Sequence, residues 1–342
     1  MTEPLVTIVV VPRERFSYAV RSLENILRHT DDIPSSLVYV DGGSPGHVRR
    51  YLVERAQQHN FKLIRKNQYL SPNKARNLGL QQVKSKYVVF IDNDVLVTPG
   101  WLAALVACAE KTGAWVVGPL YLLGKPGSET IHMAGGLANI GEEQGKRAFY
   151  FEHCFSGKRL DDIGPSLHAQ ATELAEFHCM LLLTEACRRL GPFDEQLLSM
   201  HEHEDLCLTV REMGGTVYFE PDSIIIYVPP PPFAWSDLPF FMLRWSEAWN
   251  SASRGHFQNK WRLQKNDKSV LLESQWAEDH RRIPLRLVRG AARRLCRFSG
   301  LRPDRIDQAI LLPLERRLNR YLVQAVSANN QNGADPTVMP TR

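Results

Sequence analysis

The sequence lacks the features that mark disulfide-rich, zinc-binding and membrane-spanning proteins. Its six cysteines include no Cys-x-x-Cys pair, and no charged and apolar leader precedes the first apolar run. Scattered cysteines of this kind are typical of free thiols in a reducing compartment. The longest apolar runs, such as LVTIVVV, fall far short of the roughly 20 residues that cross a bilayer. We therefore expect a cytoplasmic protein, with the inner face of the cell membrane as an alternative location.

The sequence also has little net charge for its length. A formal charge of +5 over 342 residues gives no reason to expect nucleic acid as a partner. No Gly-x-Gly-x-x-Gly or Gly-x-x-x-x-Gly-Lys loop follows an apolar run, which excludes the common glycine-rich phosphate loops. A bound nucleotide would therefore have to be held by other groups.

Residues 5–119 alternate short apolar runs with amphipathic segments. Apolar residues recur at helical spacing in SYAVRSLENILRH and in GHVRRYLVERAQQ. This alternation predicts an α/β fold with a mixed, largely parallel sheet flanked by helices. Ligands bind beyond the carboxyl ends of such strands, where this sequence has PRER, DGGSPG and DNDV.

Two carboxylates follow the apolar run KYVVFI. They belong to Asp92 and Asp94, with Asn93 between them. Side chains two positions apart at a strand end can point to the same side. Their hard oxygen atoms suit Mg²⁺ or Mn²⁺, which would bridge them to a substrate diphosphate. The alternative is an Asx turn, in which the aspartates accept backbone N–H groups.

Residues 71–105 resemble the donor-binding segment of family 2 glycosyltransferases. They contain, in the family's order, an Ala-Arg-Asn-x-Gly helix start, a hydrophobic strand, the Asp-x-Asp motif and a Pro-Gly-Trp-Leu helix start. The first strand with Pro12 and the later segments VDGGS, GPFDE and DLCL also match the family. The resemblance therefore covers residues 5–228.

The resemblance implies a GT-A type (Rossmann-like) fold and inverting transfer from a nucleotide-diphosphate sugar, with a UDP-sugar favoured. Asp41 would accept the N3–H of the pyrimidine, and Arg76 would lie near the base or the diphosphate. Asp92 would lie beside the ribose and the metal, with Asp94 as the direct ligand of Mn²⁺ or Mg²⁺. A cation at this place offsets the charge of the departing diphosphate.

Two departures from the family pattern concern the donor site. Pro12 and Asn93 occupy family positions for the sugar nucleotide, but Arg13 and Arg15 replace a Thr-Tyr-Asn-like turn. These arginines either grip the diphosphate or form solvated surface. Residues 227–229 are Tyr-Val-Pro where many members have a histidine, so water would take the place of a third protein ligand of the metal.

A cluster of histidines and carboxylates, residues 201–205, begins the predicted helix EDLCLTVREMGG. The family takes its catalytic base from this region, and two alignments place that base at His203 or at Asp205. We nominate Glu202 and Asp205, which share a helix face, as candidate bases, and His203 as an orienting partner. Two histidines two apart point away from each other on a helix, which disfavours zinc. Acidic residues that only stabilise a helix start are the alternative.

Two polar residues precede the apolar run CMLLL. Glu176 and His178 lie two apart on one strand face, so they either pair with each other or face a pocket. The match to the family's acceptor-side strand favours the pocket. We assign Glu176, His178, Trp101 and Glu204 to the acceptor side, while His132 either covers the donor or lies in a solvated loop.

The chain divides at a run of prolines. Residues 1–232 are predicted to form the glycosyltransferase domain, with a donor half at 1–120 and an acceptor half at 121–232. A basic, amphipathic, helical extension is predicted at 233–326 and a disordered tail at 327–342.

Residues 281–298 within that extension place arginines on one face and apolar residues on another. This pattern predicts peripheral contact with an anionic membrane. Docking on the catalytic domain, or on a second subunit in a homodimer, is the alternative. No aromatic residues alternate with the arginines, which disfavours nucleic acid as the partner.

These features predict a metal-dependent glycosyltransferase that moves a sugar to a hydroxyl of a glycan or lipid-linked acceptor, in polysaccharide biosynthesis. A catalytically silent sugar-nucleotide or glycan-binding protein is the alternative, which the altered PRER turn permits. A nucleotidyltransferase is disfavoured because its Gly-Gly-x-Gly-Thr-Arg-like loop is absent after the first apolar run.

Overall fold

The computed structural model describes residues 3–13, 15–30, 32–125, 127, 129–229, 233–286, 288–291, 294 and 307–331. Its strands are β1 (Val6–Val11), β2 (Ser35–Gly42), β3 (Lys62–Lys66), β4 (Tyr87–Asp92), β5 (Val95–Val97), β6 (Val116–Leu123), β7 (Thr130–Met133), β8 (Gly136–Glu143), β9 (Lys146–His153), β10 (Gln170–Thr172), β11 (Cys179–Leu183) and β12 (Val217–Tyr227). Its α-helices are α1 (Phe16–Arg28), α2 (Gly46–Gln58), α3 (Pro72–Leu80), α4 (Trp101–Thr112), α5 (Leu160–Ile163), α6 (Thr184–Leu190), α7 (Glu202–Glu212), α8 (Leu238–Arg244), α9 (Glu247–Trp261), α10 (Lys268–Arg281) and α11 (Leu312–Gln331).

A mixed sheet forms the centre of the fold, with the strand order β10-β12-β6-β11-β4-β1-β2-β3. Strands β3, β2, β1 and β4 run parallel to one another, and β6 is parallel to β12. Strand β11 lies antiparallel between β4 and β6. The predicted α/β architecture is confirmed, and the carboxyl ends of β1, β2 and β4 lie along the same edge of the sheet.

Helices flank the sheet, so its central strands are apolar on both faces. Every residue of β1 and of β4 is buried. Helix α3 packs on β1 and β2 at Gly79, where an added Cβ would come within 2.2 Å of Cγ1 of Val9. Glycine is required for this close approach, which brings Arg76 of α3 to the sheet edge.

Residues 121–171, the first part of the predicted acceptor half, contain a regular hairpin. Strands β8 and β9 pair antiparallel over their whole length, from Gly136 opposite His153 to Glu143 opposite Lys146. Helix α7 lies against β8, and α10 lies against β9. The hairpin is thus held by helices that follow it in the chain, a long-range contact that local sequence patterns do not reveal.

The helices after residue 232 pack directly against the sheet domain. Phe240 of α8 stacks on Tyr69, with 4.7 Å between the ring centroids. Asp237, at the start of α8, accepts hydrogen bonds from the backbone N–H and the hydroxyl of Ser17. The extension and the sheet domain therefore share buried surface, while the division at residue 232 stays a prediction.

The predicted basic helix at 281–298 lies partly outside the described residues, which omit 287, 292–293 and 295–306. Three of its described arginines pair with acidic groups of the same chain. Arg281 lies 2.6 Å from Glu315, and Arg282 and Arg289 both contact Asp307. These ion pairs favour docking within the chain, and membrane contact stays a prediction.

Other expectations for the C-terminal part have mixed outcomes. Residues 230–232 of the proline run and 332–342 of the predicted tail lie outside the described residues. Helix α11 continues through Gln331, beyond the predicted start of the disordered tail at 327. None of the described helices has both the length and the hydropathy that crossing a bilayer requires.

Candidate functional site

A cavity of about 490 Å³ opens beside the carboxyl ends of β1 and β4. Its walls come from the sheet edge, from the end of the β8–β9 hairpin, from the start of α7 and from the helical extension. The lining residues that carry titratable or aromatic side chains are Arg13, Arg76, His132, Phe151, His153, Glu176, Phe177, His178, His201, Glu202, His203, Glu204, Tyr227, Arg244, Trp245, Glu273 and Trp276.

Asp92, the last residue of β4, is fully buried, and three of its neighbours, Arg13, Arg76 and His178, line the cavity. Its Oδ2 accepts a hydrogen bond from Nδ1 of His178 at 3.0 Å and lies 3.3 Å from Arg13 Nη1. Its Oδ1 lies 3.9 Å from Arg76 Nη2. Burial raises the pKa of Asp92, but Arg13 and His178 outweigh burial and lower the pKa below its usual value. The carboxylate is therefore ionised, and two buried arginines converge on it.

Arg76 itself is held by contacts on several sides. Its guanidinium lies over the ring of Phe177, 3.6 Å from the centroid, and donates to the side-chain oxygen of Asn73 at 2.9 Å. Burial lowers the pKa of Arg76 to about 10, so it remains a cation at neutral pH. A fixed, buried cation at the cavity wall is suited to binding an anion.

Asp94, which was predicted to be the direct metal ligand, also faces an arginine. Its Oδ2 lies 4.0 Å from Nε of Arg15, a buried side chain that stacks over the ring of Tyr18 at 4.5 Å. Guanidinium groups thus lie beside both Asp92 and Asp94 and supply the positive charge that a divalent ion would supply. Asp92 and Asp94 therefore fit a metal ion poorly in this arrangement, and their role as metal ligands stays a prediction.

The remaining residues predicted to bind the sugar nucleotide lie along the same sheet edge. Asn93 accepts a hydrogen bond from the backbone N–H of Arg13 at 2.8 Å, and Pro12 beside it is buried. Asp41 of β2 forms an ion pair with Arg65 and accepts two hydrogen bonds from the turn that follows it. Asn93 therefore holds Arg13 beside Asp92, whereas Asp41 is engaged by Arg65 farther along the sheet.

Four histidines surround the carboxylate of Glu176 at the cavity wall. The Nε2 atoms of His132 and His178 lie 2.9 and 3.9 Å from Oε2, and those of His153 and His203 lie 3.2 and 3.8 Å from Oε1. Burial raises the pKa of Glu176, but His132 and His153 lower it well below its usual range. Glu176 therefore faces the cavity, and its partners extend well beyond His178.

This histidine cluster could bind a metal ion. The ligand atoms of His132, Glu176 and His178 all lie within 4.8 Å of one another, as do those of His153, Glu176 and His203. A third group, formed by His201 with two carboxylates, meets the same distance limit. Imidazole thus predominates in two of these candidate metal sites, and carboxylate in the third.

His201 precedes α7 with a left-handed backbone conformation, at φ 66°. A residue with a Cβ rarely adopts this conformation. Here the buried imidazole stacks on Phe257, with 4.5 Å between the centroids, and its Nδ1 lies 2.9 Å from Glu273 of α10. Burial lowers the pKa of His201, but the charge of Glu273 outweighs burial and raises it. The helical extension therefore stabilises the start of α7.

The first residues of α7 point into the cavity. Oε1 of Glu202 lies 3.7 Å from Nη2 of Arg244 and has no hydrogen-bond partner among the described residues. Nε2 of His203 lies 3.1 Å from Oε1 of Glu204. Burial lowers the pKa of His203, but the charge of Glu204 outweighs burial and raises it to about 9. Glu202 thus offers an oxygen to the cavity, whereas His203 faces carboxylates.

Asp205 and Trp101 were predicted to belong to the site, but both side chains are buried against other parts of the protein and do not line the cavity. Asp205 accepts hydrogen bonds from Lys260 at 2.7 Å and from the indole N–H of Trp261 at 2.8 Å. Helix α9 packs against this side of α7, which separates Asp205 from Glu202 although they are three residues apart. Trp101 is fully buried in the core, and its indole N–H donates to the carbonyl of His29.

Sequence reasoning assigned no site role to several residues that line the cavity. Arg244 and Trp245 come from the end of α8, Glu273 and Trp276 from α10, and His153 from the end of β9. The rings of Trp245 and Trp276 meet edge to face, 5.4 Å apart. Arg244 and Trp245 lie in the aromatic segment FFMLRWSEAW. This segment matches no known motif, so it did not indicate a binding site.

The chain matches one family model in part and resembles solved structures in fold. Residues 7–160 match the model of the family described as Glycosyl transferase family 2. The fold is similar to that of GalNAc-T7 with UDP, GalNAc and Mn²⁺, at a TM-score of 0.53 and 18% identity, covering 82% of this chain and 55% of that chain. It is also similar to the mannosyltransferase PcManGT from Pyrobaculum calidifontis in complex with GDP-Man and Mn²⁺, at a TM-score of 0.50 and 16% identity, covering 97% and 88%.

These structural likenesses show a shared GT-A fold, which confirms the predicted fold. The match of residues 7–160 confirms the family resemblance for the segment that contains the Asp-x-Asp motif. A curated relative, the uncharacterized protein y4gI of Sinorhizobium fredii (strain NBRC 101917 / NGR234), is 25% identical over 270 residues, or 74% of this chain. The chain spans 25% of the length of that relative.

Proposed function

We propose that this protein, whose residues 7–160 belong to glycosyl transferase family 2, transfers a sugar from a nucleotide-diphosphate sugar to a hydroxyl of a glycan or lipid-linked acceptor. The observation that carries this proposal is the position of Asp92. It lies at the end of β4 in contact with Arg13 and Arg76, and both arginines line a cavity that Glu202 also lines. Anion-binding groups and a candidate base thus line one cavity.

The donor diphosphate would bind at Arg13 and Arg76. Both side chains line the cavity, and both lie within 4 Å of Asp92. Arginine pairs with phosphate oxygens through parallel N–H groups, and burial strengthens such pairs because little solvent screens them. A UDP-sugar remains the favoured donor. Asp41 would accept a hydrogen bond from the N–H of the base after the ion pair between Asp41 and Arg65 rearranges.

The base in this proposal is Glu202. Its carboxylate would accept the proton of the acceptor hydroxyl as that oxygen forms a bond to the anomeric carbon. The bond between the anomeric carbon and the diphosphate oxygen breaks at the same time, and the nucleoside diphosphate leaves with the electron pair. This single displacement inverts the anomeric centre. Nη2 of Arg244, 3.7 Å from Oε1 of Glu202, places a positive charge beside this carboxylate.

The acceptor would bind against the helical extension. Trp245 and Trp276 line the cavity on the side of α8 and α10, and Trp276 is 52% exposed. Aromatic rings offer a large apolar face with little loss of conformational entropy, which suits the apolar face of a sugar ring. Glu204 and His203 line the same cavity, where they would position the acceptor.

The test measures binding and turnover separately. Calorimetry with UDP, dTDP and GDP identifies the nucleotide, and release of nucleoside diphosphate from the corresponding sugars reports transfer. Arg76→Gln should weaken nucleotide binding at least about tenfold, because removing one partner of a buried charged pair costs more than 1.4 kcal/mol. Arg49→Gln, an exposed arginine of α2, is the matched control and should bind as the wild type does.

Two outcomes would contradict the proposal. Equal nucleotide affinity in Arg76→Gln and Arg49→Gln would place the donor elsewhere. Nucleotide binding without release from any sugar nucleotide, in the presence of acceptor glycans, would favour the catalytically silent binding protein.

A further inference from the structure

We propose that the cavity holds a resident first-row transition-metal ion, bound by His132, Glu176 and His178 and separate from the Asp92-Asn93-Asp94 motif. The three ligand atoms lie within 4.8 Å of one another. His132 comes from β7, whereas Glu176 and His178 precede β11. Two different parts of the fold therefore converge on one point of the cavity wall, which leaves the side toward the cavity open for exchangeable ligands.

The orientation of His178 supports a role as metal ligand. Its Nδ1 lies 3.0 Å from Oδ2 of Asp92, and since a carboxylate oxygen accepts, Nδ1 carries the proton. The lone pair of a neutral imidazole then resides on Nε2, which faces Oε2 of Glu176 at 3.9 Å. Tyr227 stacks on the ring at 4.0 Å and holds its plane. A carboxylate that orients a metal-bound imidazole is the usual outer partner of such a ligand.

Simple pairing of Glu176 with histidines does not account for the whole cluster. The carboxylate of Glu176 forms a hydrogen bond with His132 at 2.9 Å, and His153 lies 3.2 Å from its other oxygen. His178 and His203, at 3.9 and 3.8 Å from the same carboxylate, are too distant for hydrogen bonds. Nε2 of His203 lies nearer Glu204, at 3.1 Å, but Nε2 of His178 still faces Glu176, an arrangement that a shared cation explains. His153 and His203 are then available as further ligands on the other side of the carboxylate.

The ligand set selects the class of metal. Imidazole nitrogen suits zinc, iron, nickel and copper, whereas magnesium prefers oxygen ligands and retained water. Two imidazoles and one carboxylate with open positions are typical of sites that also bind a substrate or water. We therefore expect Zn²⁺ and Co²⁺ to bind in the absence of any nucleotide, and Mg²⁺ to compete weakly.

The test uses the purified 342-residue chain without sugar nucleotide or acceptor. After metal removal, Co²⁺ and Zn²⁺ are titrated and followed by the visible absorption of Co²⁺ and by calorimetry. His132→Ala and Glu176→Gln should each lower the affinity more than about a hundredfold, and Asp92→Asn by about 10- to 100-fold as an outer partner. His168→Ala removes an exposed histidine that contacts the carbonyl of Ser166, and it should bind Co²⁺ as the wild type does.

Three results would overturn the proposal. One is a wild-type protein that binds neither ion, and another is equal affinity in His132→Ala and the wild type. The third needs no variant and covers the case in which a variant fails to fold: X-ray absorption of the Co²⁺-loaded wild type that shows no imidazole scattering. The metal titration contains no sugar donor, so its result is independent of the transfer assay. A protein that binds no metal could still transfer a sugar, and a protein that transfers no sugar could still bind the metal.

Discussion

Glu202 and Asp205 begin the same helix, and we expect their amide variants to fail in different ways. Glu202→Gln keeps the shape of the side chain and removes its ability to accept a proton. Loss of a general base lowers turnover by about 10²- to 10⁴-fold, which corresponds to about 3–5 kcal/mol in the activation barrier. Stability should change little, because Oε1 of Glu202 has no hydrogen-bond partner among the described residues.

Asp205→Asn should instead lower stability. Asp205 is buried and accepts hydrogen bonds from Lys260 and from the indole of Trp261. Asparagine can still accept from the indole, but it loses the charge that pairs with Lys260. Hydrogen bonds to charged groups contribute about 1.5–3 kcal/mol, and Lys260 is one-third exposed, so we expect a loss near 1 kcal/mol after solvent screening.

The assay combines single-turnover rates, nucleotide binding by calorimetry and urea unfolding for both variants. We expect Glu202→Gln to bind nucleotide and unfold as the wild type does, with turnover reduced as above. Asp205→Asn should keep most of its turnover at a lower unfolding midpoint. The reverse pattern, with turnover lost in Asp205→Asn and full in Glu202→Gln, would make Asp205 the base and refute the reasoning from cavity position.

The remaining predictions concern packing and the acceptor. Gly79→Ala should cost about 1–3 kcal/mol in the free energy of unfolding, because its Cβ would lie 2.2 Å from Cγ1 of Val9. Gly46→Ala, whose Cβ meets no atom within 4 Å, is its control in the same urea titration and should be neutral. Trp276→Ala should lower kcat/KM for the acceptor at least about tenfold without changing nucleotide affinity, since hot-spot aromatics contribute 2 kcal/mol or more. Trp235→Ala, which removes an exposed ring outside the cavity lining, should leave both constants unchanged, and equal effects of the two tryptophan variants would contradict an acceptor site on α10.

The donor half could be predicted closely from the sequence, for a physical reason. Apolar periodicity is local, so it identifies strands and helices without knowledge of their neighbours. Parallel strands place their carboxyl ends on one edge of the sheet, which brought Arg13 and Asp92 together as expected. Arg76 reaches the same edge because Gly79 lets α3 pack closely on β1.

The other half of the site followed from packing between distant segments. The proximity of His153 to Glu176 could not be predicted from the sequence. It depends on the placement of the β8–β9 hairpin, which packs against the distant helices α7 and α10. Asp205 matched the family pattern, yet α9 covers it and leaves Glu202 to the cavity.

By itself, the sequence determined which segments become strands and helices, and which residues stand at the strand ends, since these depend on neighbours along the chain. Only the tertiary structure decided which side chains share the cavity. It placed four histidines around Glu176, guanidinium groups beside Asp92 and Asp94, and two tryptophans of the extension in the cavity lining. These contacts depend on how helices and strands pack against one another. The distance between two residues along the chain does not show whether they meet in the folded protein.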